Sequence, residues 1–356
     1  MKKYFSLLLV LAMCLVACNG KNSEEQNEKS AEDSVEQQES FADDFSATPE
    51  DLEEILVEVV RFDRALLNIN PNDAEPDIKQ LYADYEAIMP IYVEGVLGLD
   101  AKDTLRLTRL YADFLRDTIV AHTNHEIRKQ FADIKAIQQE LNEGFTRLHY
   151  LYPNWEIPKL FFFISGFNLP IFQYKNWIGV GVDMYLGSDY KYYSQIAHDY
   201  QKPCMDKKFI AGDVLNYYIS QHIPYTSKEN RLLENMLYRG KQIFLLSLLL
   251  PEFPKWEIMG YTKEQWDWCI QYEQQIWNKI MDKRDLFKTE SMVKTSYLND
   301  GPFTAEISQE SPGRLGIWVG WRIIDSYMRH NEEVTLQELM EDGDAQKILE
   351  KSFYKP

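Results

Sequence analysis

The feature that most constrains the fold is a change of composition near residue 50 of this 356-residue chain. Residues 19–50 hold ten acidic residues and two lysines, with almost no large apolar side chain before Phe41. Such a stretch cannot bury enough apolar area to offset the entropy that ordering removes. The composition therefore predicts an acidic flexible tether over 18–50, and a hydrophobic core drawn entirely from 51–356.

The first 17 residues are typical of a bacterial lipoprotein signal peptide. Lys2 and Lys3 form a basic start, and an apolar stretch of signal-peptide length follows over 4–16. The stretch ends in LVAC at 15–18, which resembles a lipobox, the motif whose cysteine receives diacylglycerol. We predict cleavage after Ala17 and acylation of Cys18, which would anchor the chain to a membrane. The alternative is an ordinary secretory signal that contains a cysteine by chance.

The charge of the chain narrows the choice of partners. The formal net charge of −18 argues against nucleic acid, because binding phosphates needs basic surfaces. No uncharged apolar run reaches the length of a transmembrane helix. The predicted partners are therefore the membrane, through acylated Cys18, and an envelope protein whose identity the sequence does not give. Glu24 and Glu25 come late after Cys18 for an acidic surface-export signal, which favours a periplasm-facing lipoprotein over a surface-exposed one.

The patterns in 51–356 predict an α+β fold, mostly helical, as a single domain with a small sheet. A helix-start signal at 48–51 precedes a β-branched stretch at 55–62. Two aromatic and β-branched runs at 159–167 and 178–186, separated by turn-forming residues, predict a pair of antiparallel strands. Apolar spacing predicts helices over 76–89, 103–121, 124–148, 209–221, 229–249, 263–284, 312–329 and 335–350.

Local signals refine the helices of the C-terminal half. Thr262 and Thr335 each precede a Gln or Glu by three residues, which indicates capping boxes, and Ser311-Pro312 predicts the start of a helix. Gly316 and Gly320 lie four residues apart on one helix face, which usually means close backbone packing. Cys204 and Cys269 could pair in an oxidising compartment, but the sequence leaves this open.

No catalytic residue is predicted from motifs. The nearest approach to a zinc-peptidase H-E-x-x-H motif is the string from His122 to Glu126, in which the histidines are three apart and the glutamate follows both. We interpret these as surface histidines near a helix junction. The eight tryptophans are spread along the chain, which favours core packing over an aromatic platform for glycans.

A family resemblance does become specific over residues 61–356. The motifs that carry it are FD at 62–63 with Leu66, PIYVEGVLGL at 90–99, FISGFN at 163–168, GVDMYLGSD at 181–189, LLENMLYRGK at 232–241, GYT at 260–262, NDGPFT at 299–304, QESPGRLGIW at 309–318 and DAQKIL at 344–349. With these motifs in this order, the chain resembles the gliding-motility lipoprotein B family of Bacteroidetes. The resemblance implies an envelope lipoprotein, associated with gliding machinery in motile relatives. It does not imply that this organism glides.

That family is itself distantly similar to predicted zinc peptidases, which implies a zincin-like scaffold with a degenerate metal site. Asp213, Val214 and Tyr217 stand about where the His, Glu and His of the motif would be, and Arg239 stands where the third ligand would be. Arginine stays protonated and cannot bind zinc. We therefore expect no bound metal or cofactor, and we expect Arg239 to pair instead with an acid such as Asp213 or Glu234. The functional expectation is a non-catalytic scaffold or accessory of a membrane-associated assembly. The alternatives are a zincin-type peptidase and a glycan- or peptide-binding lipoprotein.

The predicted anchor can be tested by replacing the acylated residue. Cys18→Ser removes the thiol that would receive the lipid, so the mature chain should leave the membrane fraction or keep an uncleaved signal. Membrane fractionation together with the mass of the processed chain measures both results. Unchanged fractionation with normal processing would show that Cys18 is not the anchor.

Overall fold

The computed structural model describes residues 52–227 and 229–356. The predictions for the signal peptide at 1–17, for Cys18, for the tether over 18–50 and for the helix start at 48–51 lie outside the described residues. Within the described residues, long helices surround one small sheet, so the predicted α+β class is confirmed. Phe161, Phe162 and Phe163 in the sheet are fully buried and mark the centre of the N-terminal part of the core.

The sheet has four strands in the order β1-β2-β4-β3. The strands are β1 (Val59–Val60), β2 (Lys159–Phe163), β3 (Ile171–Tyr174) and β4 (Trp177–Gly181). The predicted antiparallel pairing of the two main strands is wrong, because β2 runs parallel to both β1 and β4. The segment taken for a turn contains β3, which forms the antiparallel hairpin with β4. Because β3 reverses the chain direction once before β4, strands β2 and β4 lie side by side and run in the same direction.

The strand predicted over 55–62 is reduced to the two residues of β1. The backbone N–H of Ile55 donates to the hydroxyl of Thr146 at 2.9 Å, and that of Val57 donates to the side chain of Asn142 at 3.0 Å. These two N–H groups donate to side chains of a helix, so they are not available for pairing with a neighbouring strand. A helix then begins at Phe62, which ends the strand on its other side.

Among the described residues, six helices precede β2, where the sequence predicted three. They are α1 (Phe62–Leu67), α2 (Ala74–Asp84), α3 (Ile88–Pro90), which continues into a π-helical turn at Ile91–Val96, α4 (Thr104–Arg116), α5 (Thr118–Gln130) and α6 (Lys135–Leu151). The boundary between α4 and α5 lies at Asp117 and not at the predicted 121–124. The Asp117 carboxylate accepts hydrogen bonds from the N–H groups of Ile119 and Val120, so it caps α5 where the apolar spacing had suggested a continuous helix.

In the part of the chain after the sheet that the structure describes, nine α-helices follow. They are α7 (Ile210–His222), α8 (Leu232–Leu249), α9 (Lys255–Met259), α10 (Lys263–Gln271), α11 (Glu273–Asp282), α12 (Ser291–Leu298), α13 (Leu315–His330), α14 (Leu336–Glu341) and α15 (Ala345–Ser352). Each of the two helices predicted over 263–284 and 335–350 is split in two. The existence of the others was predicted, apart from α9 and α12.

The capping boxes at Thr262 and Thr335 are confirmed, but the predicted start at Ser311-Pro312 is wrong. Helix α13 begins after Arg314, whose backbone is left-handed with φ of 59°. The hydroxyl of Thr304 accepts from the N–H of Leu315 at 3.2 Å, and Ser311 contacts Thr304 instead of the helix. The cap thus comes from a residue distant in sequence, which no local pattern reveals.

The expected close backbone packing at Gly320 is confirmed, and its partner is Gly240 on α8. A Cβ added at Gly320 would lie 2.0 Å from the carbonyl oxygen of Met236. One added at Gly240 would lie 2.3 Å from the carbonyl carbon of Gly320. Helices α8 and α13 therefore cross with their backbones in contact, and only glycine fits at the crossing.

Gly320→Ala should destabilise the fold by about 3 kcal/mol, because the new methyl group meets backbone atoms that cannot rotate away. Helix propensity alone would predict the opposite sign, since alanine favours a helix over glycine. Chemical denaturation measures the difference. Gly343→Ala is the matched control, because a Cβ there meets no atom within 4 Å. Equal stability of the two variants would contradict the tight crossing.

Candidate functional site

The four residues implied as vestigial metal positions do not form one site. Asp213, Val214 and Tyr217 lie on α7, and Arg239 lies on α8. Val214 is fully buried in the core, Tyr217 is half-buried and Arg239 is exposed. Of the four, only Asp213 lines a cavity that holds other charged groups.

The expected ion pair of Arg239 is wrong. The Asp213 carboxylate accepts its hydrogen bond from Tyr185, and the nearest cation to Glu234 is Arg231, whose Nε lies 4.0 Å from the carboxylate. Glu234 also accepts from the backbone N–H of Arg231 and so closes the start of α8. No ion pair joins Arg239 to either acid.

The cavity beside Asp213 has a volume of 280 Å³ and is formed by segments that are far apart in sequence. Helix α7 forms one side, and the last turns of α8 form an apolar side. The chain around α9, the turn at 300–301 and the start of α13 close the remainder. Three motifs that carry the family resemblance, at 260–262, 299–304 and 309–318, therefore meet at this cavity.

Asp213 occupies an unusual position for a carboxylate. The hydroxyl of Tyr185, a buried residue, donates to Oδ2 at 2.9 Å. The surrounding protein raises the pKa of Asp213 to about 6, and the hydrogen bond from Tyr185 and the charge of Arg314 partly oppose this effect of burial. The Asp213 side chain nevertheless remains exposed to the open cavity. A ligand in the cavity would therefore reach it.

Arg314 forms the opposite wall of the cavity and is held rigidly. Its Nη2 donates to the carbonyl oxygens of Met259 at 2.9 Å and Gly260 at 3.0 Å. Its Nε lies 3.1 Å from the carboxylate of Asp300. Gly260 adopts a left-handed conformation with φ of 70°, and a Cβ there would lie 2.9 Å from Arg314 Nη2. Glycine at this position therefore makes room for the guanidinium group.

The two cysteines of the folded region are not paired. The thiol of Cys204 lines the cavity and donates to the carbonyl oxygen of Gly260 at 3.4 Å. Burial raises the pKa of the Cys204 thiol, so the thiolate that would act as a nucleophile is disfavoured. Cys269 is fully buried, and burial raises the pKa of its thiol as well.

The histidines closest to a zinc-peptidase motif, His122 and His125, do not form a metal centre with other side chains in the described residues. His122 lies on α5, with its ring against Tyr190 and Tyr192. Across the described parts of the chain, no group of three or more His, Cys, Asp or Glu side chains could hold a metal ion. Among the tryptophans, Trp318 and Trp321 are buried in α13, which confirms core packing for these two.

Sequence reasoning missed most of the cavity. Tyr185, Arg314 and Asp300 were not singled out, although all three lie within motifs that carry the resemblance, and Cys204 was named only as a possible disulfide partner. The only signal for those three was that each is a polar residue inside such a motif, and the patterns had placed Tyr185 in a strand and Arg314 in a helix. Their convergence depends on the tertiary fold, which no spacing in the sequence reveals.

The fold and the site define an α+β domain with a polar cavity beside Asp213. No helix in the described residues is both long and apolar enough to cross a membrane. A comparison with protein families identifies the particular group. The family described as gliding motility protein GldB matches residues 45–356, and the chain belongs to this family. No curated protein and no solved structure matches the chain. Family membership fits an envelope-associated lipoprotein.

The environment of Asp213 predicts a pH-dependent effect on stability. Its folded pKa of about 6 lies above its usual value of 3.8, so ionising this group in the folded state is unfavourable. Its contribution to stability is full below pH 4 and is lost as the pH rises through 6. Asp213→Asn removes this loss while its amide oxygen can still accept from Tyr185. The variant should therefore gain stability over the wild type between pH 4 and pH 7.

Denaturant unfolding of both proteins across this pH range measures the effect. Asp113→Asn is the matched control, because it removes a carboxylate whose side chain is 82% exposed. Parallel pH profiles for the wild type and Asp213→Asn would show that the Asp213 environment does not perturb its titration.

Proposed function

We propose that the protein is a lipid-anchored, non-catalytic accessory of a membrane-associated envelope assembly of the gliding-motility type. The observation that carries this proposal is the family match over 45–356, which begins near the end of the acidic stretch behind the lipobox-like motif. The proposed anchor is acylated Cys18, and the stretch over 18–50 would let the folded domain reach a protein partner away from the membrane surface.

The non-catalytic part of the proposal is supported by the surroundings of α7. A catalytic zinc site needs three protein ligands and a base that activates the bound water. At the position of the base stands Val214, which is fully buried and carries no titratable group. At the position of the third ligand stands Arg239, which is exposed and not directed to Asp213 by any ion pair. The described residues therefore favour a binding or scaffolding role over zinc hydrolysis.

We do not extend the proposal to a zinc-peptidase ancestry. Helix α7 does pack against α8, as the helix pair of such a scaffold would. Packed pairs of consecutive helices occur in many unrelated folds, so this packing alone is not evidence of a common origin. The peptidase and the glycan-binding alternatives are kept as outcomes of the experiment below.

The orientation and the partner complete the proposal. We place the domain on the periplasmic side, because the acidic pair Glu24–Glu25 comes late after Cys18. The partner is proposed to be an envelope protein. Nucleic acid is disfavoured by the net charge of −18.

The proposal predicts both the metal content and the protein contacts of the native lipoprotein. Purified protein should hold far less than one zinc per chain and should show no peptidase activity that a chelator abolishes. Crosslinking in native envelopes should capture an envelope protein with the wild type and much less of it with Cys18→Ser. One bound zinc per chain with chelator-sensitive hydrolysis would favour the peptidase, and capture of glycan fragments alone would favour the glycan-binding alternative.

A further inference from the structure

Two cationic and three acidic side chains line the cavity beside Asp213, so their formal charges do not sum to zero. Lys208 pairs with Glu257 across one side of the cavity, and Arg314 pairs with Asp300 across another. Asp213 is the fifth charged residue of the lining and has no ion pair within 4.0 Å. The lining formed by the described residues therefore carries one unpaired negative charge that faces open space.

From this imbalance we infer that the cavity binds a primary alkylammonium group, with the ammonium at the Asp213 carboxylate and the aliphatic chain along the apolar side of α8. This inference goes beyond the accessory role proposed above and does not depend on the anchor or on the lack of catalysis. It concerns the ligand class of a site for which the family match gives no ligand.

The Asp213 carboxylate has a free acceptor for such a cation. Tyr185 donates to Oδ2, and no described residue donates to Oδ1. An ammonium group has three donors and no acceptor, so it complements a carboxylate oxygen that lacks a donor. The exposure of Asp213 to the cavity gives the cation a path to this oxygen.

The rest of the cavity suits a short aliphatic chain. Ile243, Leu246 and Leu250 on and after α8, together with Phe253, line the side that lacks charged groups. The volume of 280 Å³ lies just below the range of pockets for drug-sized ligands, which is about 300–1,000 Å³, so a small ligand fits better than a large one. Burying methylene groups against these side chains would supply affinity beyond the ion pair.

An anion is a poorer match for the same cavity. The guanidinium of Arg314 already donates to two carbonyl oxygens and pairs with Asp300. Lys208 already forms an ion pair with Glu257. An anionic ligand would have to displace these partners and would also be repelled by Asp213, whereas an ammonium group displaces none of them.

An alkylammonium group has two sources that the cavity alone does not separate. One is a free primary amine, and the other is a lysine side chain exposed on a protein. The experiment uses n-butylammonium for the first and Nα-acetyl-lysine N-methylamide for the second. The uncharged isosteres, 1-butanol and Nα-acetyl-6-hydroxynorleucine N-methylamide, report what the aliphatic chain contributes without the charge.

Binding is measured with the full-length protein in detergent by ligand-observed NMR and by calorimetry. We expect at least one of the two ammonium compounds to bind, and its isostere to bind at least tenfold more weakly. If both ammonium compounds bind, the site accepts lysine side chains. If only n-butylammonium binds, the ligand is a free amine. Failure of both ammonium compounds to bind, or equal binding of a compound and its isostere, would overturn the inference.

Two variants locate the site within the protein. Asp213→Asn should weaken binding of the ammonium compound at least tenfold, and Asp113→Asn should leave it unchanged. Gly212→Leu tests the cavity independently, because a Cβ at Gly212 meets only Leu250 Cδ1 at 3.9 Å and the larger side chain would fill the space. Leucine is a better helix former than glycine, so this variant should fold and lose binding. Undiminished binding in folded Asp213→Asn or Gly212→Leu would place the ammonium site elsewhere.

Discussion

The backbone contact between α8 and α13 at Gly240 and Gly320 is the constraint on which the C-terminal half of the structure depends. Both helices are buried along most of their length, and helices α9, α12, α14 and α15 each pack against one or both of them. When two backbones touch, the crossing allows little sliding or rotation, because any shift brings main-chain atoms into overlap. The positions of residues far from the crossing on these helices therefore depend on it.

The cavity beside Asp213 is one consequence of that crossing. The last turns of α8 supply its apolar side, and the residue before α13, Arg314, supplies its cation. Helix α7, which carries Asp213, packs against α8. The relative positions of the carboxylate, the guanidinium group and the apolar wall are thus set by rigid helices. Such rigidity suits a binding site, since less ordering is needed when a ligand enters.

The parts of the fold that were predictable from the sequence are those with a local cause. The capping boxes at Thr262 and Thr335 use residues three apart, and the small-residue spacing of α13 reports a close approach without naming the partner. The missed helix end at Asp117 has a local cause, but three other errors depend on tertiary contacts. The direction of β4 depends on an inserted strand, the start of α13 depends on Thr304, and the partner of Asp213 is Tyr185 and not Arg239. For the site, Asp213 was named as a vestigial metal position and Cys204 as a possible disulfide partner, and neither reason concerned the cavity.

The contrast between Asp213 and the buried carboxylates of this chain bears on why the cavity exists. Asp63 receives both nitrogens of the Arg61 fork, Asp183 receives two backbone N–H groups and the Ser165 hydroxyl, and Asp285 is bonded by Tyr297 and Lys288. Each of these acids is satisfied by the protein itself, as buried charges usually are. Glu140 on α6 also has a raised pKa, of about 7, because burial and repulsion from the neighbouring Glu143 act together, and its Oε2 has no hydrogen-bond partner. It lines a different cavity, to which the Lys208–Glu257 pair also contributes. Asp213 combines one protein donor, a raised pKa and a position in an open cavity whose other charged residues form two ion pairs. An unpaired carboxylate in such a place lowers stability at neutral pH, and a perturbed group in a cleft is where ligands bind in many proteins. The arrangement is explained if the missing partner of Asp213 is a cation that the protein does not itself supply.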